Sequence, residues 1–308
     1  MKIAVLGLGS IGRRHAANFR ALGCVVKTWD REPLARNADP APCDTLAEAL
    51  DGVAGVVIAT PPDAHYQAAA GHLPQMIEKP LAVDAGFAER MLRMIKAPIL
   101  VAYPWRHWPA LQAMKRLLDE GRIGTVVSAH TEYGWDLRTS TNWADYRLSW
   151  MANPDRGGGC LLDTSHAIDL NRWLLGEIMS VAAIVETRVL EMAADDSADL
   201  MVRFASDAFG TLRLSLCTPV RGQIEIFGEH GVLAWYRSHG VTLNGNPTPH
   251  FSLAQPDINE MYLAEAAHFL DCIGGKVVPV CDGADGLRTL KVVDAARRSS
   301  ANGQWVDV

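Results

Sequence analysis

The feature that most restricts the fold is the opening of the chain. Lys2-Ile3-Ala4-Val5-Leu6 is a short apolar run, and Gly7-Leu8-Gly9-Ser10-Ile11-Gly12 follows it at once. A helical pattern over residues 11–22 then begins inside the last glycine and is stopped by Gly23. G-x-G-x-x-G alone says little, but between a strand and a helix each glycine has a physical reason. The first makes the tight turn, the second lets the backbone approach a pyrophosphate, and the third lets helix pack on strand. The amides at the helix start then face the phosphates. Leu8, Ser10 and Ile11 complete the loop. A chain that starts this way is committed to a parallel βαβ unit.

The same alternation continues to about residue 122. Residues 24–29, 55–59, 75–78 and 98–102 read as buried strands, with helical patterns at 45–50, 63–71 and 84–96. Thr45 and Glu48 form a capping box, and Asp84 an N-cap. Strands of near-continuous Val, Ile and Leu between helices mean a parallel sheet covered on both faces. After a helix at 109–120 the pattern changes. Residues 124–133 are strand-like, and 134–156 are polar and aromatic without periodicity, which reads as a functional loop. A helix over 161–175 is followed by strand signals at 181–190, 198–204, 210–216, 223–227 and 232–237, with no helix between them. The alternation in Leu212-Arg213-Leu214-Ser215-Leu216 is that of an antiparallel sheet with one buried face. Residues 247–256 read as loop, and helices at 260–273 and 284–299 close the chain. The expected architecture is α/β. An N-terminal Rossmann, doubly wound parallel domain spans 1–122. A C-terminal α+β domain spans 123–308, with a large, predominantly antiparallel open sheet, and its last helices are able to pack back on the first domain.

Bulk properties narrow the function. A chain of 308 residues suits two domains, and its net charge of −6 argues against nucleic acid or an anionic membrane as partner. No apolar run is long enough to span a bilayer, and the first is too short for a signal peptide. The six cysteines are scattered, with no C-x-x-C and no Cys/His pair at zinc spacing. They read as reduced thiols of a cytoplasmic protein with no metal site.

Candidate site residues fall into two groups. Asp30 ends the second strand, where an acid takes the ribose hydroxyls of a dinucleotide. Its carboxylate repels a 2′-phosphate and favours NAD, while the adjoining Arg31 leaves NADP open. Thr60-Pro61-Pro62 follows the third strand at the carboxyl edge, where ligands bind in open sheets; a plain strand-ending turn is the alternative. His65, just after it, reads as a structural histidine at a helix start. In the second half, Gly157, Gly158 and Gly159 allow the backbone to lie close to a ligand. Asp163 and His166, three apart on the 161–175 helix, are expected on one face. A carboxylate beside an imidazole suits a general acid/base.

Glu78-Lys79-Pro80 ends the fourth strand. After a G-x-G-x-x-G fold, this resembles the Gfo/Idh/MocA oxidoreductases, of the glucose–fructose oxidoreductase and inositol dehydrogenase types. The resemblance covers the whole chain. It includes the Gly7 to Gly12 turn, Thr60-Pro61 with His65, Glu78-Lys79-Pro80, and Tyr103/Arg106/Pro109. It continues through Gly157 to Asp169, Phe269…Gly274 and Ala295-Ala296…Ser299. It implies an NAD(P)-dependent dehydrogenase acting on a CH–OH group, with Lys79, Asp163 and His166 as catalytic residues. It implies that Gly7, Leu8, Gly9, Ser10, Ile11, Gly12, Asp30, Arg31, Thr60, Pro61, His65, Glu78 and Lys79 hold the cofactor. The family usually spaces its acid and histidine as D-x-x-x-H. The D-x-x-H here leaves either Asp163 or Asp169 to orient His166. The run from Gly157 to Gly176 is similar to that of a subset associated with nucleotide-sugar and surface-polysaccharide metabolism.

The chemistry asks for these residue types in any case. Oxidising an alcohol removes a hydride to nicotinamide and a proton to a base with a pKa near working pH, as His166 can provide. Lys79 beside a cationic ring can stabilise alkoxide charge or carry the proton itself. A cis Lys79-Pro80 bond would aim the lysine into a cleft. On the substrate side, Arg106, Trp143, Tyr146 and Arg147 join Asp163 and His166. Tryptophan faces stack on sugar rings and arginines bind acidic groups. The expected substrate is a sugar, cyclitol or nucleotide-sugar derivative. Two other functions stay open: an NAD-dependent glycoside-cleaving enzyme that retains its cofactor, and a non-catalytic dinucleotide-sensing regulator. A homodimer or homotetramer is expected through the uncovered sheet face, by way of the apolar residues of 181–185 and 212–216.

Overall fold

The computed structural model describes every residue except 37, 38, 40, 70, 141–143 and 252–256. The chain runs β1 (Lys2–Leu6), α1 (Ser10–Ala21), β2 (Val25–Trp29), α2 (Pro33–Arg36), α3 (Leu46–Leu50), β3 (Gly55–Ile58), α4 (His65–Ala68), β4 (Gln75–Glu78), α5 (Ala85–Met94), β5 (Ile99–Ala102) and α6 (Pro109–Asp119). It continues with β6 (Val126–Asp136), α7 (Cys160–Asp163), α8 (Ser165–Leu175), β7 (Ile178–Glu186), β8 (Ser197–Phe204), β9 (Phe209–Ser215) and β10 (Cys217–Gly228). It ends with β11 (Gly231–Tyr236), β12 (Gly240–Leu243), β13 (Asn246–Phe251), α9 (Asn259–Ile273), α10 (Gly283–Asn302) and β14 (Val306–Asp307).

Packing divides the chain into two compact units. One is Met1–Pro104 with Asn259–Leu287, the other Trp105–Ile258 with Arg288–Val308. This division does not follow the change of pattern near residue 122, because α6 belongs by its contacts to the later strands. Its buried residues Ala110, Leu111, Ala113 and Met114 pack with β11, β12 and β13.

The first unit is a parallel sheet in the order β2-β1-β3-β4-β5. Every residue of β3, β4 and β5 is buried, as strands covered on both faces must be. Thr45 caps α3 by accepting the Glu48 N–H, and Asp84 caps α5 by accepting the Phe87 N–H. α9 returns to pack on α1. Phe19 meets Phe269 edge-on at 6.2 Å, and Asn18 and Asn259 exchange side-chain hydrogen bonds.

The second unit is a nine-stranded sheet, β13-β12-β11-β10-β6-β9-β8-β7-β14. Its neighbours pair antiparallel except β6 with β9, which are parallel. In β8, buried Ala198, Leu200, Val202 and Phe204 alternate with exposed Asp199, Met201 and Arg203. Two sequence expectations need correction. Residues 247–251, read as loop because of Pro247 and Pro249, belong to the outermost strand, where a proline need not donate to a ladder. The apolar residues expected at a contact face, Val181, Leu212, Leu214 and Leu216, are instead core. The face left open carries Ile184, Met201, Phe209 and Phe227 at 55%, 55%, 49% and 38% exposure, interleaved with Asp199, Arg203 and Arg213.

Candidate active site

In the first unit the glycine loop has the form its spacing predicts. Gly7 has φ +95°, and a Cβ there would lie 2.6 Å from the Ala59 carbonyl. A Cβ on Gly12 would lie 1.9 Å from the Gly7 oxygen, so helix and strand close on each other here. A Cβ on Gly9 would meet nothing within 4 Å, and Gly9 leaves the start of α1 without a side-chain cap. The first-turn amides of a three-turn helix are thus left for an outside acceptor. Asp30 holds this loop from the end of β2. Its carboxylate accepts the Leu8 N–H at 2.6 Å and the Glu32 N–H at 2.8 Å. At the end of β3, the Thr60 hydroxyl is buried with no hydrogen-bond partner among the described residues. An open glycine, uncapped amides, a loop-holding acid and an orphaned hydroxyl are a donor set that fits a dinucleotide. Arg31 is exposed beside Asp30.

His65 is buried, with Nε2 2.8 Å from the Thr60 carbonyl and Nδ1 3.1 Å from the Leu81 carbonyl. Burial lowers its pKa, and the two carbonyls push back only in part. It ties the turn after β3 to the segment after Lys79-Pro80, whose peptide bond is cis. Glu78, expected among the cofactor ligands, turns inward. Its Oε1 is 2.7 Å from His15 Nε2, and its Oε2 accepts the Lys79 N–H at 3.1 Å.

In the second unit the expected 161–175 helix is two helices. Thr164 breaks it by donating its hydroxyl to the Cys160 carbonyl at 2.6 Å, so Asp163 ends α7 and His166 lies in the first turn of α8. Sharing one helix face is therefore not what relates the two residues. Asp163 is buried and accepts Trp135 Nε1–H at 2.9 Å. His166 is buried and stacks on Trp105, ring centroids 5.3 Å apart. Tyr133 meets Trp105 edge-on at 4.7 Å. Burial pushes its phenol up to about 12, with Asp163 adding to the rise against Arg237, so it stays a neutral donor. The sequence reading missed Tyr133; an aromatic residue in a long strand gives no signal of its own.

Asp169 has another role. It accepts Arg106 Nε–H and Nη2–H at 2.9 and 2.7 Å, both side chains buried. Arg106, expected at the substrate, is thus an internal partner of Asp169. Arg147 is 52% exposed and pairs with Asp145 and Glu191, each at 2.9 Å, while the Tyr146 hydroxyl accepts the Glu191 N–H. Trp143 lies outside the described residues. The glycines have a packing cause: a Cβ on Gly158 would lie 2.4 Å from the Met151 carbonyl oxygen, and one on Gly159 2.4 Å from Asp195 Oδ1. Asp195 accepts the Leu161 N–H at 2.8 Å and seats the start of α7. Among the described residues no helix is long and apolar enough to cross a membrane, and no three His, Cys, Asp or Glu side chains group as a metal site.

Comparison with known proteins matches both units. Residues 1–101 match the oxidoreductase family with an NAD-binding Rossmann fold, and residues 111–234 match the GFO/IDH/MocA C-terminal domain. The chain belongs to the GFO/IDH/MocA oxidoreductase family. Within it, the chain is 28% identical to inositol 2-dehydrogenase of Rhizobium meliloti (strain 1021), covering 100% of this chain and 99% of that one. It is 26% identical to scyllo-inositol 2-dehydrogenase (NAD(+)) of Bacillus subtilis (strain 168), covering 100% and 96%. Its fold matches that of levoglucosan dehydrogenase in complex with NADH and levoglucosan with a TM-score of 0.87, at 23% identity over 100% and 99% of the two chains. The GFO/IDH/MocA chain described here is accordingly an oxidoreductase with an NAD-binding Rossmann domain.

Proposed function

We propose that this chain interconverts a secondary alcohol and a ketone on a sugar, cyclitol or nucleotide-sugar derivative, using Lys79, Asp163 and His166. The observation that carries the reading is His166 held flat on Trp105, with Asp163 fixed by Trp135 three residues away in sequence. NAD, held at the Gly7 to Gly12 turn, would supply the hydride acceptor for the carbinol carbon. His166 takes the hydroxyl proton, and Lys79 offsets charge growing on the oxygen. Asp163 is the acid assigned to orient His166, since Asp169 is engaged by Arg106. The Trp105 ring stacked on His166 shields one face of the base from water.

The test is turnover of a panel of inositols, anhydrosugars and nucleotide sugars with NAD, followed by NADH absorbance. Lys79→Met and His166→Ala are each expected to lower kcat/KM by roughly 100-fold or more. No turnover on any member, with Lys79→Met unchanged from the parent, overturns the reading. NADH that never accumulates while glycosides are cleaved favours the cofactor-retaining alternative.

We also propose that the open sheet face pairs two copies through Ile184, Met201, Phe209 and Phe227. Light scattering of Met201→Glu tests this, and a parent chain that is already monomeric refutes it. Six free cysteines suit a reducing compartment, which supports a cytoplasmic location.

A further inference from the structure

α9 carries a residue that an amphipathic helix does not explain. Glu265 has 0% exposure, in the first unit. Neither of its carboxyl oxygens has a hydrogen-bond partner among the described residues. An ionised carboxylate in that setting is costly, so the group keeps its proton. Burial raises its pKa well above the usual glutamate range, and the charge of Glu78 raises it further.

Glu78 connects this acid to the proposed chemistry. It joins His15 through one oxygen and the Lys79 N–H through the other. His15 is equally buried, and its Nδ1 has no hydrogen-bond partner among the described residues. Tyr262, one turn before Glu265 on α9, packs edge-on against the His15 ring at 6.2 Å, and Arg14 lies 4.6 Å over the Tyr262 ring. His65 also feels the Glu78 charge. The groups tied to Glu78 are therefore His15 from α1, His65 from α4, Glu265 from α9 and Lys79 itself, with Tyr262 packed on His15 and Arg14 over Tyr262. Two carboxyl groups and an imidazole, all out of water, sit behind the peptide of one lysine.

We propose that His15, Glu78 and Glu265 act together as positioning residues for Lys79, a buried cluster that fixes its backbone and carries a single negative charge next to it in the chain. This rests on the reading that Lys79 takes part in the reaction. With Glu265 neutral, the backbone amide of Lys79 meets one carboxylate, and that one is shared with His15. A second ionised carboxylate would repel the first and loosen the cluster. Glu265 acts by staying neutral, and Glu78 by supplying the charge.

The experiment uses the full chain with two variants, Glu265→Gln and Glu78→Gln. The infrared difference between parent and Glu265→Gln at neutral pH is expected to show the C=O band of a protonated carboxyl. A carboxylate band in its place overturns the proposal. Modification of Lys79 by an amine-reactive reagent against pH, read by mass spectrometry, gives its titration without any substrate. Glu78→Gln is expected to move that titration to lower pH by about one unit, tenfold in proton affinity, and to move the matching limb of kcat/KM with it. If Glu78→Gln does not fold, the infrared band of Glu265 still decides. A lower melting temperature with an unmoved lysine titration means the cluster is only structural and refutes the inference. A shifted titration in a chain that turns over no substrate leaves the cluster standing and rejects the proposed reaction instead.

Discussion

The imidazole of His166 lies against the indole of Trp105, ring centroids 5.3 Å apart and planes 21° from parallel. Trp105 is in turn edge-on to Tyr133 at 4.7 Å and to Trp235 at 5.5 Å, and Trp235 is edge-on to Trp108 at 5.5 Å. The orientation of the proposed base is thus set by a chain of interlocked rings. Trp105→Ala is expected to cost about 3–5 kcal/mol in denaturant unfolding. Trp105→Phe keeps a ring under His166 and is expected to retain most of the stability, with kcat falling more than KM changes. Equal kcat in the parent and Trp105→Ala would show that the stack does not orient the base.

Asp30, as a proposed cofactor residue, would couple cofactor affinity to the shape of the loop. Its carboxylate holds the Leu8 and Glu32 amides, so it positions the glycine turn. A hydrogen bond to a charged group contributes about 1.5–3 kcal/mol. Asp30→Ala is expected to weaken NADH binding at least roughly tenfold and to lower the melting temperature of the chain without ligand. Fluorescence titration and a thermal scan check both, and an unchanged melting temperature would mean the loop does not depend on Asp30.

The Arg106–Asp169 pair is expected to matter for folding more than for substrate choice. Removing one member of a buried ion pair typically costs about 3–5 kcal/mol, because the other is left charged in a dry site. Asp169→Ala should show a loss of that order. Arg106→Met with Asp169→Leu should recover much of it. A double variant no better than the single one would show that the pair is not what Asp169 contributes.

Asp196 gives a pH signature. Burial alone would raise its pKa, but the N–H groups of Leu190, Arg188 and Val189 and the Ser197 hydroxyl outweigh burial and hold it below the usual aspartate value. A lowered folded pKa means the unfolded chain binds the extra proton. The stability Asp196 contributes is therefore present above the unfolded aspartate range and is lost as pH falls through the folded value. Asp196→Asn should be clearly less stable than the parent near about pH 7, with the gap closing below about pH 4. A gap that stays constant across that range would exclude the ionised carboxylate as its source.

Much of the first unit was legible in the sequence, because strands buried on both faces leave unbroken apolar runs and the glycine turn sits where backbone contacts demand it. Lys79 and its cis peptide bond follow from Glu-Lys-Pro at a strand end. What escaped depends on partners far apart in the chain. Asp169 reads as a second candidate acid until Arg106 is seen to hold it. Glu265 gives no signal of its own in the sequence until α9 packs on α1. The break at Thr164 comes from one hydroxyl returning to a carbonyl four residues back, and no periodicity announces it. β13 was hidden by its two prolines, which are tolerated because it is outermost.

Those prolines have a further consequence. One margin of the nine-stranded sheet is β13, in which Pro247 and Pro249 have no N–H to give. The other margin is β14, only two residues long. Neither offers the row of free amides and carbonyls on which a foreign strand could grow. Among the described residues both margins are blunted against strand addition, which leaves the broad face as the surface where the proposed pairing of two copies would take place.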